Sequence, residues 1–125
     1  MPQVSIITPT YNCARFIEET IKSVQAQTFT DWEMIISDDC STDNTKEVIA
    51  PYLASDSRIK YICNDKNSGA AITRNNALRI ASGRWIAFLD SDDLWLPEKL
   101  EKQISFMIEN GINFSYTNYS EIDEN

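Results

Sequence analysis

The chain has 125 residues and a mass of 14.3 kDa, enough for one domain with a real core. Hydrophobic residues make up 42% and charged residues 24%, the balance of a folded globular chain rather than a disordered one. A net charge of −8 argues against nucleic acid or an anionic membrane as partner, and with no histidine present any acid or base must be a carboxylate.

The amino terminus runs from Met1-Pro2-Gln3 directly into Val4-Ser5-Ile6-Ile7-Thr8, a buried strand stopped by Pro9 and the turn-prone Asn12. It lacks the basic start and long apolar stretch of a secretory signal, and no run elsewhere approaches membrane-spanning length, so a cytoplasmic location without a transmembrane segment is expected. Ile17, Ile21 and Val24 then recur at helical spacing with Glu18, Glu19 and Lys22 opposite, and Asn12 is the expected N-cap. Trp32 to Ser37 reads as the second strand and ends in Asp38-Asp39. Side chains from Ser41 to Thr45 cap a helix through Val48 and Ile49, which Pro51 should end or kink. Ile59 to Cys63 forms a third strand, followed by a polar loop from Asn64 to Gly69. From Ala70 a helix carries Ile72, Arg74, Leu78 and Ala81 and stops at Gly83. The run Trp85 to Leu89 is strand four, with Trp85, Phe88 and Trp95 read as packing residues. A fourth helix begins near Pro97, buries Leu96, Leu100, Ile104 and Met107, and stops at Gly111. Phe114-Ser115-Tyr116 looks like a fifth strand.

Strict alternation of apolar strands and amphipathic helices predicts an α/β fold with a mainly parallel sheet covered on both faces. Ligands in such sheets bind at the carboxyl ends of the strands. Tyr11-Asn12, Asp38-Asp39 and Asp90-Ser91-Asp92 all fall there, so three clusters separated in sequence should meet at one rim. Taken singly, each has a plainer reading: Tyr11 packs on the first turn, Asp38 and Asp39 cap the next helix, and Arg74 pairs with Glu18 or another acid. Asp43 is read as a helix-start residue.

Asp90, Asp92 and Asp93 place three acids within four residues at a strand end, where mutual repulsion favours a divalent cation or a shared proton. Oxygen ligands suit Mg²⁺ or Mn²⁺. With three glycines and neither Gly-x-Gly-x-x-Gly nor a P-loop, the chain cannot cradle phosphates on a glycine-rich loop. An ion held by Asp90 and Asp92 and bridging the phosphates of a nucleotide diphosphate sugar is the alternative. Cys13, Cys40 and Cys63 are odd in number and lack Cys-x-x-Cys spacing, so free thiols are expected.

Together, Val4 through Asn12, Ile36 through Asp43, Gly69 through Asn75 and Phe88 through Asp93 resemble the family 2 inverting glycosyltransferases, and the similarity covers essentially the whole chain. The resemblance implies the Rossmann-like GT-A nucleotide-diphospho-sugar transferase fold and a metal-dependent transfer from a nucleotide diphosphate sugar, most often a UDP-sugar, to a saccharide or lipid-linked acceptor in polysaccharide biosynthesis. It assigns Tyr11 to stacking on the nucleobase, Asp39 to the uracil imide, and Arg74 to the nucleotide. Asp92 becomes a metal ligand, with Asp90 assisting the ion or contacting the ribose or sugar. Cys40 stands where the family commonly has glycine, so the turn after Asp39 is expected to differ. The family's catalytic base lies well downstream, so residues 1–125 are expected to form a single truncated donor-binding portion without the acceptor-binding half. Two other classes place an acid pair at a strand end: Mg²⁺-dependent aspartate-nucleophile phosphatases and response-regulator-like signalling modules. In both, the acids follow the first strand.

Overall fold

The computed structural model describes residues 2–111. Strands β1 (Val4–Thr10), β2 (Trp32–Asp38), β3 (Ile59–Cys63) and β4 (Trp85–Phe88) alternate with helices α1 (Ile17–Gln25), α2 (Thr45–Ser55), α3 (Ala70–Ile80) and α4 (Lys99–Glu109). All pairings are parallel, in the order β3-β2-β1-β4. The expected strand at Phe114–Tyr116 lies outside the described residues.

Side chains alternate across a strand, and here the alternation sorts two cores. Val4, Ile6, Trp32, Met34 and Ile36 face one side, where they meet Ile17, Ile21 and Val24 of α1, Ile49 of α2, and Leu100, Ile104 and Met107 of α4. Ile7 and Ile35 face the other side and meet Ala77 of α3. Helices therefore cover both faces, and β2, flanked by strands on each edge, is buried along its whole length. Trp85 and Trp95 are buried in the larger core, as packing residues should be.

Three local expectations fail for identifiable reasons. Pro51 lies inside α2, which continues to Ser55. Proline forfeits one helical hydrogen bond, but Ile49 is fully buried and Val48, Tyr52 and Leu53 pack on the core, so tertiary burial overrides the break. In α3 the inward residues are Thr73 and Ala77, while Ile72 is 50% and Leu78 36% exposed. Small inward residues let this helix lie close against β1 and β2, and the Thr73 carbonyl accepts the Ser37 hydroxyl at 2.8 Å. Leu96 precedes α4 and is 58% exposed, because its segment turns backbone rather than side chain inward. The Leu96 carbonyl accepts Gln27 Nε2 at 2.7 Å and the Pro97 carbonyl accepts the Thr28 amide at 2.8 Å.

The amino-terminal rim of the sheet is pinned by one buried acid. Glu33 on β2 accepts the Ser5 hydroxyl at 2.5 Å, Lys60 Nζ at 2.5 Å and the Ser82 amide at 2.7 Å, joining β1, β3 and the α3–β4 connection. Burial alone would raise its pKa, but the donors from Lys60, Ser5 and Ser82 outweigh that and hold the carboxyl at about 2. Gly83 completes the knot: its amide donates to Ser5 Oγ at 2.7 Å, and a Cβ there would sit 2.6 Å from the Ser5 nitrogen.

Candidate active site

Strand order reverses at β1, with β2 on one side and β4 on the other, so the chain leaves neighbouring strand ends in opposite directions and opens a crevice. A cleft of about 460 Å³ lies there. Tyr11, Asp39, Arg74, Asp90 and Asp92, the five candidates from the sequence, all line it, with Pro9, Thr10, Cys13, Asn67, Ala70, Thr73 and Ser91 between them. Tyr11 is 46% exposed, leaving much of its ring surface open to a ligand. Arg74 is half-buried and, among the described residues, has no ion pair. Glu18 instead accepts the Tyr52 hydroxyl at 2.5 Å and faces Lys22 at 3.8 Å.

Adjacent aspartates at the end of β2 do different work. Asp38 is buried, accepting the Ser41 amide at 2.9 Å and hydroxyl at 2.6 Å on one oxygen and the Tyr61 hydroxyl at 2.6 Å on the other. Asp39 turns to the cleft, and it anchors the approach to α3 rather than capping α2. Its Oδ1 accepts the Ser68 amide at 2.6 Å and Asn64 Nδ2 at 2.9 Å, and its Oδ2 accepts the Gly69 amide at 2.9 Å. Burial raises its pKa, yet these donors and Thr73 lower it on balance, so Asp39 is an anion. Its second oxygen retains a free acceptor position. Asn64 escaped the sequence reading because an isolated loop asparagine carries no spacing signal. Its side-chain Nδ2 donates to Asp39 at 2.9 Å and to Thr73 Oγ1 at 3.0 Å, and its Oδ1 accepts Asn76 Nδ2 at 2.8 Å.

The turns around the cleft hold two left-handed residues. Asn12, with φ of 52°, does not cap α1, whose first residue follows Phe16. Its side-chain oxygen instead accepts the Thr42 amide at 2.8 Å and the Asp43 amide at 3.3 Å, and its own amide donates to Ser41 Oγ at 2.9 Å, tying the β1 turn to the β2 turn. Asp43 starts α2, as expected, by accepting the Thr45 amide at 3.0 Å. Cys40 adopts φ of 63°, the conformation glycine takes freely, so this non-glycine residue accommodates the tight turn at a cost in backbone strain. Cys13, Cys40 and Cys63 are free thiols.

Asp90 and Asp92 are exposed and Asp93 half-buried, with one carboxylate oxygen of each within 4.8 Å of the others. Opposite ligands on an octahedral Mg²⁺ stand about 4.2 Å apart, so small rotations bring this all-oxygen set to bonding distance. Among the described residues neither Asp90 nor Asp92 has a cationic side-chain partner, and the set fits a hard divalent cation. Asp93, the third acid of the strand-end cluster, joins the expected pair Asp90 and Asp92 in this set. The cluster follows β4, not the first strand as in the phosphatase and signalling classes.

The model of the family described as Glycosyl transferase family 2 matches residues 5–125. The Bacillus subtilis protein named putative teichuronic acid biosynthesis glycosyltransferase TuaG is 53% identical over 95% of this chain and 47% of its own length. The Escherichia coli UDP-Glc:alpha-D-GlcNAc-diphosphoundecaprenol beta-1,3-glucosyltransferase WfgD is 52% identical over 98% of this chain and 47% of its own. The chain thus spans about half the length of these relatives. Among solved structures, S. aureus TarS in complex with UDP-GlcNAc aligns with a TM-score of 0.82 at 35% identity, over 89% of this chain and 32% of that one. Mannosyltransferase PcManGT from Pyrobaculum calidifontis, in complex with GDP-Man and Mn²⁺, aligns with a TM-score of 0.79 at 28% identity, over 85% of this chain and 32% of that one. The sheet and its helices have the GT-A fold, and with the family model matched from residue 5 to 125 the chain belongs to glycosyl transferase family 2.

Proposed function

We propose that the cleft binds a nucleotide diphosphate sugar, with a UDP-sugar as donor, for transfer to an acceptor hydroxyl with inversion at the anomeric carbon. The observation that carries this reading is the meeting of Tyr11, Asp39, Arg74 and the Asp90-Ser91-Asp92 segment in one cleft although they come from four separate points of the sequence. The UDP-GlcNAc bound by TarS and the diphosphoundecaprenol acceptor in the name of WfgD point to the same donor and to a lipid-linked acceptor.

In this reading Tyr11 stacks on uracil, and the remaining acceptor position of Asp39 takes the imide N–H. Arg74, the cleft's uncommitted cation among the described residues, reaches the nucleotide. Asp92, assisted by Asp90, would hold a divalent cation, Mn²⁺ or Mg²⁺, which when bound offsets the charge of the diphosphate and of its departure. In this reading, of the acids lining the cleft, Asp39 is taken up by N–H donors and Asp90 and Asp92 would be taken up by the cation. No acid lining the cleft is then left to deprotonate the acceptor, and this domain portion serves the donor. Among the described residues no helix is long and apolar enough to cross a membrane.

Calorimetry of UDP binding with Mn²⁺ and with a chelator tests the reading. Affinity is expected to rise tenfold or more with Mn²⁺, and Asp92→Ala should lose that gain without a fall in melting temperature. Equal affinity in the two conditions overturns the metal-bridged donor.

A further inference from the structure

Asp92 sits on a segment with no regular structure, between β4 and α4, so its carboxylate is only as well placed as the backbone that carries it. That backbone is gripped from one side by a polar edge of α1. Thr20 is fully buried, and its hydroxyl lies 2.9 Å from the Ser91 carbonyl and 2.8 Å from the Asp93 carbonyl. These two carbonyls flank Asp92. One hydroxyl hydrogen shared between them holds the peptide unit that enters Asp92 and the one that leaves Asp93, while its own helical carbonyl, Phe16 O, is farther away at 3.4 Å. The same helix edge continues the hold: Ser23 Oγ accepts the Trp95 amide at 3.3 Å, and Gln27 beyond the helix end bonds both the Leu96 carbonyl and, at 3.0 Å, the Leu100 amide. Thr20 and Ser23 fall on one face of α1, Gln27 follows just past its end, and all three bond main chain, so the grip does not depend on the side chains of the loop.

We propose that Thr20 is a positioning residue for the acid pair: by pinning the Ser91 and Asp93 carbonyls it presents Asp92 and Asp90 at the spacing a divalent cation and a diphosphate require. This rests on the reading that Asp92 and Asp90 hold that cation. Removing the hydroxyl leaves both carbonyls without their buried donor, and the loop moves to find others. The base end of the cleft, built from Tyr11, Asp39 and Arg74, has no bond to Thr20 and should not respond.

The test is calorimetry of UDP and of uridine, each with Mn²⁺ and with chelator, on the purified protein and on Thr20→Val and Thr20→Ser. Thr20→Val should lose at least tenfold of the Mn²⁺-dependent gain in UDP affinity while uridine affinity stays within twofold, and Thr20→Ser, which keeps the hydroxyl, should restore the gain. If Thr20→Val does not fold, Thr20→Cys, a weak donor of similar size, should lose at least threefold with the same uridine control. A parent protein whose UDP affinity ignores Mn²⁺ overturns the cation reading and this proposal with it. A metal-dependent parent whose gain survives in Thr20→Val, or Thr20→Cys where it alone folds, overturns the positioning role alone. A parallel loss of uridine affinity assigns Thr20 to the fold rather than to the acid pair, and also overturns it.

Discussion

Asp39 carries two tasks on one carboxylate. Three protein N–H groups hold it and thereby fix residues 64–69, and what remains of its acceptor capacity faces the cleft. Asp39→Asn exchanges one oxygen for an N–H donor pointed at amides that also donate. UDP binding should weaken by roughly 1–3 kcal/mol, with a smaller drop in melting temperature from the loosened loop. Unchanged UDP affinity with lowered stability would leave Asp39 as an anchor only. Cys40 shows the opposite economy, since its thiol reaches the Asp65 carbonyl only at 3.8 Å while its backbone sits in the left-handed region. Cys40→Gly relieves strain but loosens the unfolded chain, and a net gain of about 0.5–1 kcal/mol in denaturant unfolding is expected. A loss would show that the thiol contact outweighs the strain.

Elements were legible where one physical signal dominated. Apolar runs located all four described strands, and the stripe of Leu100, Ile104 and Met107 located α4, because burial is the main force shaping both. Helix detail was less legible. Pro51 reads as a break only if local propensity decides, whereas Ile49 and its neighbours hold α2 from the core side. Thr20, Ser23 and Gln27 look like ordinary solvent-facing polar residues in sequence; only the fold reveals that main chain from a distant segment lies against them. Glu33, too, reads as a surface acid within a strand, yet it joins three elements. Its carboxyl is held at about 2 against an ordinary 4.5, so the stability it contributes is present above pH 4.5 and is lost as pH falls from there towards 2. Glu33→Gln should cost up to about 3 kcal/mol at neutral pH and flatten, without abolishing, the acid limb of the stability curve. Asp56, hydrogen-bonded to Arg58 and also held at about 2, contributes to what remains. An acid limb identical in parent and variant would remove Glu33 from that role.

For the molecule as a whole, the candidate site was legible as a convergence rather than residue by residue: parallel topology alone brings strand ends together, and Tyr11, Asp39 and Asp92, expected at one rim, do line one cleft. The web behind them, Asn64 and Thr20 above all, depends on loop paths that no periodicity encodes. A net charge of −8 also acts globally on an anionic donor. Without metal, UDP affinity should rise about two- to threefold between 20 and 200 mM salt as repulsion is screened. A fall instead would mean that attraction to Arg74 dominates the approach. Finally, the Glu33 knot and the acids of the cleft occupy opposite rims of one sheet. Glu33 and Asp38 lie five steps apart along β2, about 17 Å at strand rise, which exceeds the screening length of about 8 Å in physiological salt. Heritable change at one rim is therefore almost invisible to the other. Descendants of such a chain can drift from one donor to another under selection while the knot beneath goes on folding every one of them.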